Sequence, residues 1–339
     1  MNTIKQTIIK LKSSPLFYLF LSSRELFHTN FWCWLSTINK AETIKLFSST
    51  TINDNKLDFK REYNQSNGEF KSKVDLYITN DDNKKIVIEN KVKDFPTYEQ
   101  LDRIKKSFGE SDTELILATL FWSKEISFQG WKVVTYREIS EAINPSKFKS
   151  NQYYLDLIAD YKDFTLNLAY LSEQLDISDV YNFAISVNKE LYAQLNDIKL
   201  WEGYQKLRAS HLLLRFNKFN EYNATASYSI NNQKATIDFL VEITNDYKIG
   251  ISIEDNQYRK FITGPKHVQF SENLRVNDVL FSSSWMSARK NKMMSYAPNY
   301  KYQYEKIGVM NFDDLFKKIN ADISMMLERK EEIKNQIPS

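Results

Sequence analysis

Apolar and polar positions alternate along Lys71-Ser-Lys-Val-Asp-Leu-Tyr-Ile-Thr79 and again along Lys85-Ile-Val-Ile-Glu-Asn-Lys-Val92, and both arms are rich in β-branched and aromatic residues. Asn80-Asp-Asp-Asn83 between them is turn material, so the pair is predicted to form a β-hairpin. A strand over 57–64 precedes it, and Glu114-Leu-Ile-Leu-Ala-Thr-Leu120 and Lys132-Val-Val-Thr-Tyr136 supply two more. Outside this block the period becomes helical. Residues 3–12 suit a short helix, and Ser14-Pro15 opens another. Ser22-x-x-Glu25 opens a third, whose Leu26, Phe27, Asn30, Phe31, Trp34, Leu35 and Ile38 share a stripe. After the hairpin, Pro96-Thr97 starts a helix with Leu101, Ile104 and Phe108 inward and Gly109 as its stop. A short helix follows from Arg137 to Asn144, and Tyr154, Leu157, Ile158, Tyr161, Leu168 and Leu171 mark a long amphipathic one. The order α-β-β-β-α-β-β-α predicts an α/β fold with a mixed sheet between helical layers.

The second half changes character. Helical stretches around 178–220 lead into alternating segments at 223–230, 234–244 and 247–255, and a helix from Phe312 to about Gln336 closes the chain. At 339 residues the chain exceeds one compact core. Two domains are expected, 1–172 and a C-terminal α+β domain over 173–339. Asp238 and Glu254 echo the acidic pair of the first hairpin. Asp255 and Asn256 follow, however, where a lysine would be needed, so an ordinary hairpin with exposed acids is the simpler account.

The chemistry lies in the first hairpin. If its turn centres on Asp82, Asp75 faces Glu89 across the strands, and opposed residues share a face. Like charges so placed cost about a few tenths of a kcal/mol or more. A divalent cation reverses that sign, because hard cations such as Mg²⁺ choose oxygen ligands. Lys91 projects from the same face as Glu89. The side chain of Asn90 points away, but its backbone carbonyl reaches an ion beside Glu89. The rival account is a solvated charged face, since Lys73 would sit opposite Lys91.

Asp75 followed by Glu89-Asn90-Lys91 on an apolar strand resembles the signature of the PD-(D/E)XK nuclease superfamily, and the likeness covers about residues 20–160. Arg24-Glu-Leu-Phe-His-Thr-Asn-Phe-Trp-Cys-Trp-Leu35 is similar to the helix preceding the core in an uncharacterised bacterial branch. Glu62 sits where that branch has an acid on the first core strand, and Tyr98-Glu-Gln-Leu101 resembles the opening of the helix after the lysine strand. Val74 replaces the proline of the family name, and Ile104 stands where the Gln-x-x-x-Tyr variant has Tyr. The resemblance implies a restriction-endonuclease-like core and Mg²⁺- or Mn²⁺-dependent hydrolysis of phosphodiester bonds, in DNA or alternatively RNA, in restriction, repair or defence against phage. Asp75, Glu89 and the Asn90 carbonyl would hold the metal. The metal would lower the pKa of an attacking water, and Lys91 would stabilise charge on the phosphoryl oxygens. Glu25, Glu62 and Gln100 join the candidate site. Each has a structural rival, because Ser22-x-x-Glu25 and Thr97-x-x-Gln100 are capping-box spacings and Glu62 can pair with a lysine. A non-catalytic nucleic-acid- or protein-binding adaptor is the alternative.

Composition narrows the rest. A net charge of +3, from 46 basic and 43 acidic residues, does not advertise a nucleic-acid binder. Lys124, Lys132, Arg289, Lys290 and Lys292 are nevertheless candidate phosphate contacts. One cysteine, Cys33, excludes an intrachain disulfide and points to the cytoplasm. The run Leu16–Leu21 is too short to span a bilayer. His28, His211 and His267 lack metal-ligand spacing and are expected to be structural. No glycine-rich phosphate loop or nucleophile elbow occurs, which removes support for an NTPase, a Rossmann dehydrogenase or a serine hydrolase. The C-terminal domain would bind the substrate, a second copy of the chain or a partner subunit.

Overall fold

The computed structural model describes residues 2–48, 57–67, 70–80, 84–108, 112–122, 127–175, 180–181, 189–219, 224–231, 234–270, 294–308 and 310–337. The chain divides into two compact units, Met1–Asp176 with Ala193–Leu207, and Ile177–Tyr192 with Arg208–Ser339. The first therefore includes a segment from beyond residue 172.

In the first unit β1 (Asp58–Asn67), β2 (Phe70–Thr79), β3 (Lys85–Lys91), β4 (Thr113–Thr119) and β5 (Lys132–Thr135) form one sheet in chain order. β1, β2 and β3 pair antiparallel, and β3, β4 and β5 pair parallel. The fold is thus mixed α/β. β3 is central, and every residue from Ile86 to Lys91 is buried, as expected of a strand covered on both faces. The β2–β3 register, with Thr79 opposite Lys85 and Leu76 opposite Ile88, is the one the alternation predicts. Most of its turn, 81–83, lies outside the described residues, as does the helix stop at Gly109. The parallel step from β3 to β4 runs through α5 (Tyr98–Phe108), which buries Leu101, Ile104 and Phe108.

Before the sheet come α1 (Asn2–Ser13), α2 (Phe17–Ser22), α3 (Arg24–Ile38) and the short α4 (Lys40–Ile44). After it come α6 (Tyr136–Ala142) and α7 (Gln152–Glu173). Phe31 of α3 stacks on Tyr161 of α7 with ring centroids 3.7 Å apart. Thr135 and Glu138 form a reciprocal capping box that starts α6 one residue earlier than predicted. Tyr136 therefore leaves the strand and enters the core as the first residue of a helix.

The segment beyond residue 172 carries the end of α8 (Lys189–Asp197) and the start of α9 (Trp201–Phe219). Leu195, Ile198, Leu200, Trp201 and Tyr204 are all at most 2% exposed. Lys206 pairs with Asp94 at 2.5 Å, just past β3, and with Glu202 at 2.8 Å. Gly203 permits this approach. A Cβ there would lie 2.4 Å from the Phe121 ring and 2.7 Å from the Lys93 carbonyl oxygen. Gly203→Ala should accordingly destabilise the protein by about 1–3 kcal/mol, the usual cost of overpacking, despite alanine's better helix propensity. Thermal denaturation checks it, and an unchanged or higher Tm would show that the contact yields freely.

In the second unit, β7 (Thr225–Asn231), β8 (Lys234–Glu242), β9 (Lys248–Glu254), β10 (Gln257–Thr263), β11 (Met294–Ala297) and β12 (Tyr300–Lys306) make a sheet ordered β11-β12-β10-β9-β8-β7. The strict alternation of β8 buries Ala235, Ile237, Phe239 and Val241 in the same core as Leu315, Ile319 and Ile323 of α10 (Phe312–Glu328). β6 (Val180–Tyr181) pairs with β13 (Met310–Asn311), which places a strand within the predicted helical stretch. The second acidic pair does not repeat the first. Asp238 lies opposite Ser252 and Glu254 opposite Thr236, while Arg259 clamps Glu254 with bonds of 2.9 and 3.0 Å. Among the described residues, no helix is long and apolar enough to cross a membrane.

Candidate active site

The β2–β3 ladder ends at Leu76 opposite Ile88, one step before Asp75 and Glu89. There a side chain replaces a backbone partner, as the Asp75 carboxylate (Oδ2) accepts the N–H of Asn90 at 2.7 Å. Beyond this point β3 continues only along β4, as far as Lys91 opposite Thr119. A strand residue directs its N–H and C=O to the same edge. The Asn90 carbonyl therefore faces the edge that carries Asp75.

Glu89 is the hub of the cluster. Its Oε1 takes the Lys91 ammonium at 2.9 Å and the Gln100 side-chain amide at 2.9 Å. The Gln100 backbone N–H bonds Thr97 Oγ1 at 3.2 Å, so the capping spacing accounts for the backbone only. The Gln100 side chain reaches across to Glu89. Ser22 and Glu25 form no capping box, because Ser23 occupies the N-cap of α3 and its side chain makes no cap bond. Glu25 instead turns toward the end of β3, where its Oε1 accepts the Val92 N–H over a long 3.5 Å.

Glu62 stands apart. The β1–β2 register skips it between Arg61 opposite Leu76 and Tyr63 opposite Val74, and its φ is +47°. Its carboxylate pairs at 2.5 Å with Lys73, and the two side chains are 46% and 54% exposed. The face is therefore divided. Lys73 and Glu62 form a solvated pair at the rim, whereas Lys91 and Glu89 are at most 11% exposed. A surface pair of the first kind is worth roughly 0–1 kcal/mol. The buried pair carries a desolvation cost that makes its protonation state sensitive to every neighbour.

Burial, and then the Asp75 charge, push the Glu89 carboxyl up to about 7, although Lys91 pulls it back. Asp75 is likewise raised, mainly by burial, against the opposing Asn90 N–H and Lys91; Glu25 and Glu62 add to the rise. Burial alone would lower Lys91, but Glu89 and Asp75 more than offset it and hold the ammonium charged. Asp75, Glu89 and Lys91 thus share a poorly solvated site, and Glu25 adds negative potential beside it.

This donor set suits a hard divalent cation. Mg²⁺ is commonly held by one or two carboxylates, with water and substrate oxygens completing its shell. Asp75, Glu89 and the Asn90 carbonyl are the residues that would hold it. Among the described residues no group of three or more His, Cys, Asp or Glu side chains is placed to hold a metal ion.

Behind β3 lies a group that the sequence does not announce. The fully buried Asn90 side chain accepts from the Tyr136 hydroxyl at 2.9 Å and donates to the Glu25 carbonyl at 2.9 Å. The available signal was Asn90 itself, since a buried amide inside an apolar strand needs partners. His28 is buried nearby with its Nδ1 2.8 Å from the Tyr161 hydroxyl. Burial lowers its pKa to about 3, so it is a neutral core residue. His211 is buried and His267 exposed. Lys132 binds the Phe47 carbonyl at 2.9 Å and Glu114 at 3.5 Å. Lys124, Arg289, Lys290 and Lys292 lie outside the described residues. No family model, curated protein or solved structure matches the chain.

Proposed function

We propose that the chain is a metal-dependent nuclease hydrolysing phosphodiester bonds, with DNA as the favoured substrate, on a restriction-endonuclease-like core. The observation that carries this reading is the cluster of Asp75, Glu89, Lys91 and Gln100, with Glu89 and Lys91 buried, in which burial raises both carboxyls and the Asp75 charge lifts Glu89 further. A purely structural sheet has no reason to bury such a charge excess, since unpaired buried charge is costly. Asp75 and Glu89, with the Asn90 carbonyl, would hold Mg²⁺ or Mn²⁺. The cation, when bound, supplies Lewis acidity and neutralises charge on the phosphoryl group. Lys91 keeps its proton and serves as a fixed donor to the phosphoryl oxygens. Gln100 orients the Glu89 carboxylate, and Glu25 adds negative potential beside it. The resemblance to PD-(D/E)XK nucleases supports a role in restriction, repair or phage defence, with the C-terminal unit as the substrate- or partner-binding part.

An adaptor reading draws on one observation, that Lys91 already pairs with Glu89 at 2.9 Å. Purified protein incubated with plasmid and with RNA, in Mg²⁺, Mn²⁺ or EDTA, separates the two. Cleavage that needs the metal and disappears in Asp75→Ala is expected. Binding without cleavage in every metal would establish the adaptor, and cleavage of RNA alone would change the substrate.

A further inference from the structure

Glu25 and Glu89 reach one site from separate elements, and one side chain behind the sheet ties those elements together. Asn90 lies between Glu89 and Lys91 in β3, with its side chain on the opposite face and 0% exposed. Asn90 bonds three neighbours, one through its backbone and two through its side chain. The backbone N–H goes to Asp75 at 2.7 Å, the amide Nδ2 to the Glu25 carbonyl at 2.9 Å, and Oδ1 accepts from Tyr136 at 2.9 Å. Tyr136 is itself rigidly placed. It is 1% exposed, begins a helix fixed by a capping box, and meets the His28 ring edge-on at 4.7 Å.

We infer that Asn90 and Tyr136 are positioning residues, which hold the first turn of α3 against β3 so that Glu25 stays beside the Asp75 and Glu89 carboxylates that would hold the cation. The Glu25 carbonyl, which can only accept, fixes which way the amide points, and the Tyr136 hydroxyl donates to the amide oxygen on the other side. Flipping the amide would set its oxygen against the Glu25 carbonyl, two acceptors face to face. Without the Tyr136 hydroxyl the buried amide oxygen loses its donor, and the amide that ties α3 to β3 is left unsatisfied on that side. The inference rests on the nuclease reading above, and partners one shell behind metal ligands typically govern affinity or activity by about 10–100-fold.

Tyr136→Phe removes only the hydroxyl and keeps the ring packing. Ser140→Ala is the matched control. It lies on the same helix and also loses a buried hydroxyl, bonded at 2.7 Å to Thr165 and at 2.6 Å to the Tyr136 backbone carbonyl, without touching Asn90 or the Tyr136 hydroxyl. Mn²⁺ affinity by calorimetry and plasmid cleavage at saturating Mn²⁺ are measured on the full chain, alongside Tm. Tyr136→Phe should weaken Mn²⁺ binding or cleavage about 10-fold or more, while Ser140→Ala lowers Tm comparably and leaves both intact. Equal metal binding and cleavage in Tyr136→Phe and wild type would overturn the inference. So would equal losses in both variants, which would mark a general packing effect. Failure of wild type to bind Mn²⁺ at all would instead overturn the nuclease reading.

Discussion

Replacing Lys91 with alanine is expected to lower plasmid cleavage by about 10²–10³-fold, the usual loss for one transition-state donor, while Mn²⁺ still binds. The ammonium cannot ligate a cation, and it lies 2.9 Å from a carboxylate that can. Its removal has a second consequence. Lys91 restrains the Glu89 carboxyl, which burial and Asp75 already push to about 7. Without it that carboxyl rises further, and a metal must displace a proton over a wider range. The variant should therefore bind Mn²⁺ nearly as well as wild type at about pH 8.5 and lose affinity sooner as the pH falls. Lys91→Arg should rescue poorly, because a planar fork does not replace a compact ammonium. Cleavage rates and calorimetric affinities at two pH values provide the test. An unaffected rate would reduce Lys91 to a counter-ion of Glu89.

Glu89→Gln should abolish metal binding and cleavage and, in EDTA, make the protein more stable. The Glu89 carboxyl has its pKa raised on folding from 4.5 to about 7. Between those values the folded state binds the extra proton, so stability falls as pH rises through this window. Above it the full penalty of an ionised, buried Glu89 is present, with the attraction of Lys91 already included in the balance. Gln imitates the protonated form at every pH. Near pH 8 its Tm should exceed that of wild type, by roughly 2–4 °C per kcal/mol relieved for a domain of 150–250 residues. The difference should vanish toward about pH 5 as the wild-type carboxyl protonates. A Tm gain that persists at low pH, or a loss at high pH, would mean that the charge excess is not what burdens the site.

The register of the central hairpin was legible because alternation over two strands leaves a single pairing that keeps both apolar sets inside. That register puts Asp75 across from Glu89. Glu25 and Gln100 were legible only as alternatives, since a capping spacing and a site residue look identical in sequence. The structure separates them by where the side chains go: Gln100 to Glu89, and Glu25 to the end of β3. Lys73 and Lys91 likewise occupy equivalent strand positions, and only tertiary cover leaves the first solvated and buries the second. β10 lies beyond the alternating segments predicted from sequence, and its adjacent Arg259 and Lys260 interrupt the apolar pattern. Both are buried, Arg259 against Glu254 and Lys260 against Asp322 at 2.6 Å. Tyr136 continues the strand pattern in sequence, and only the Thr135–Glu138 capping box makes it the first residue of a helix.

The discontinuity of the first unit has a temporal side. A chain emerges from the ribosome in order, so β3 and the loop bearing Lys93 and Asp94 are made long before Gly203 and Lys206, which seat against them. At roughly 5–20 residues per second, the gap is on the order of ten seconds. Throughout it the Phe121 surface waits uncovered and Asp94 lacks its lysine partner. The last packing step of the first unit is thus deferred until residues of the later chain have been synthesised.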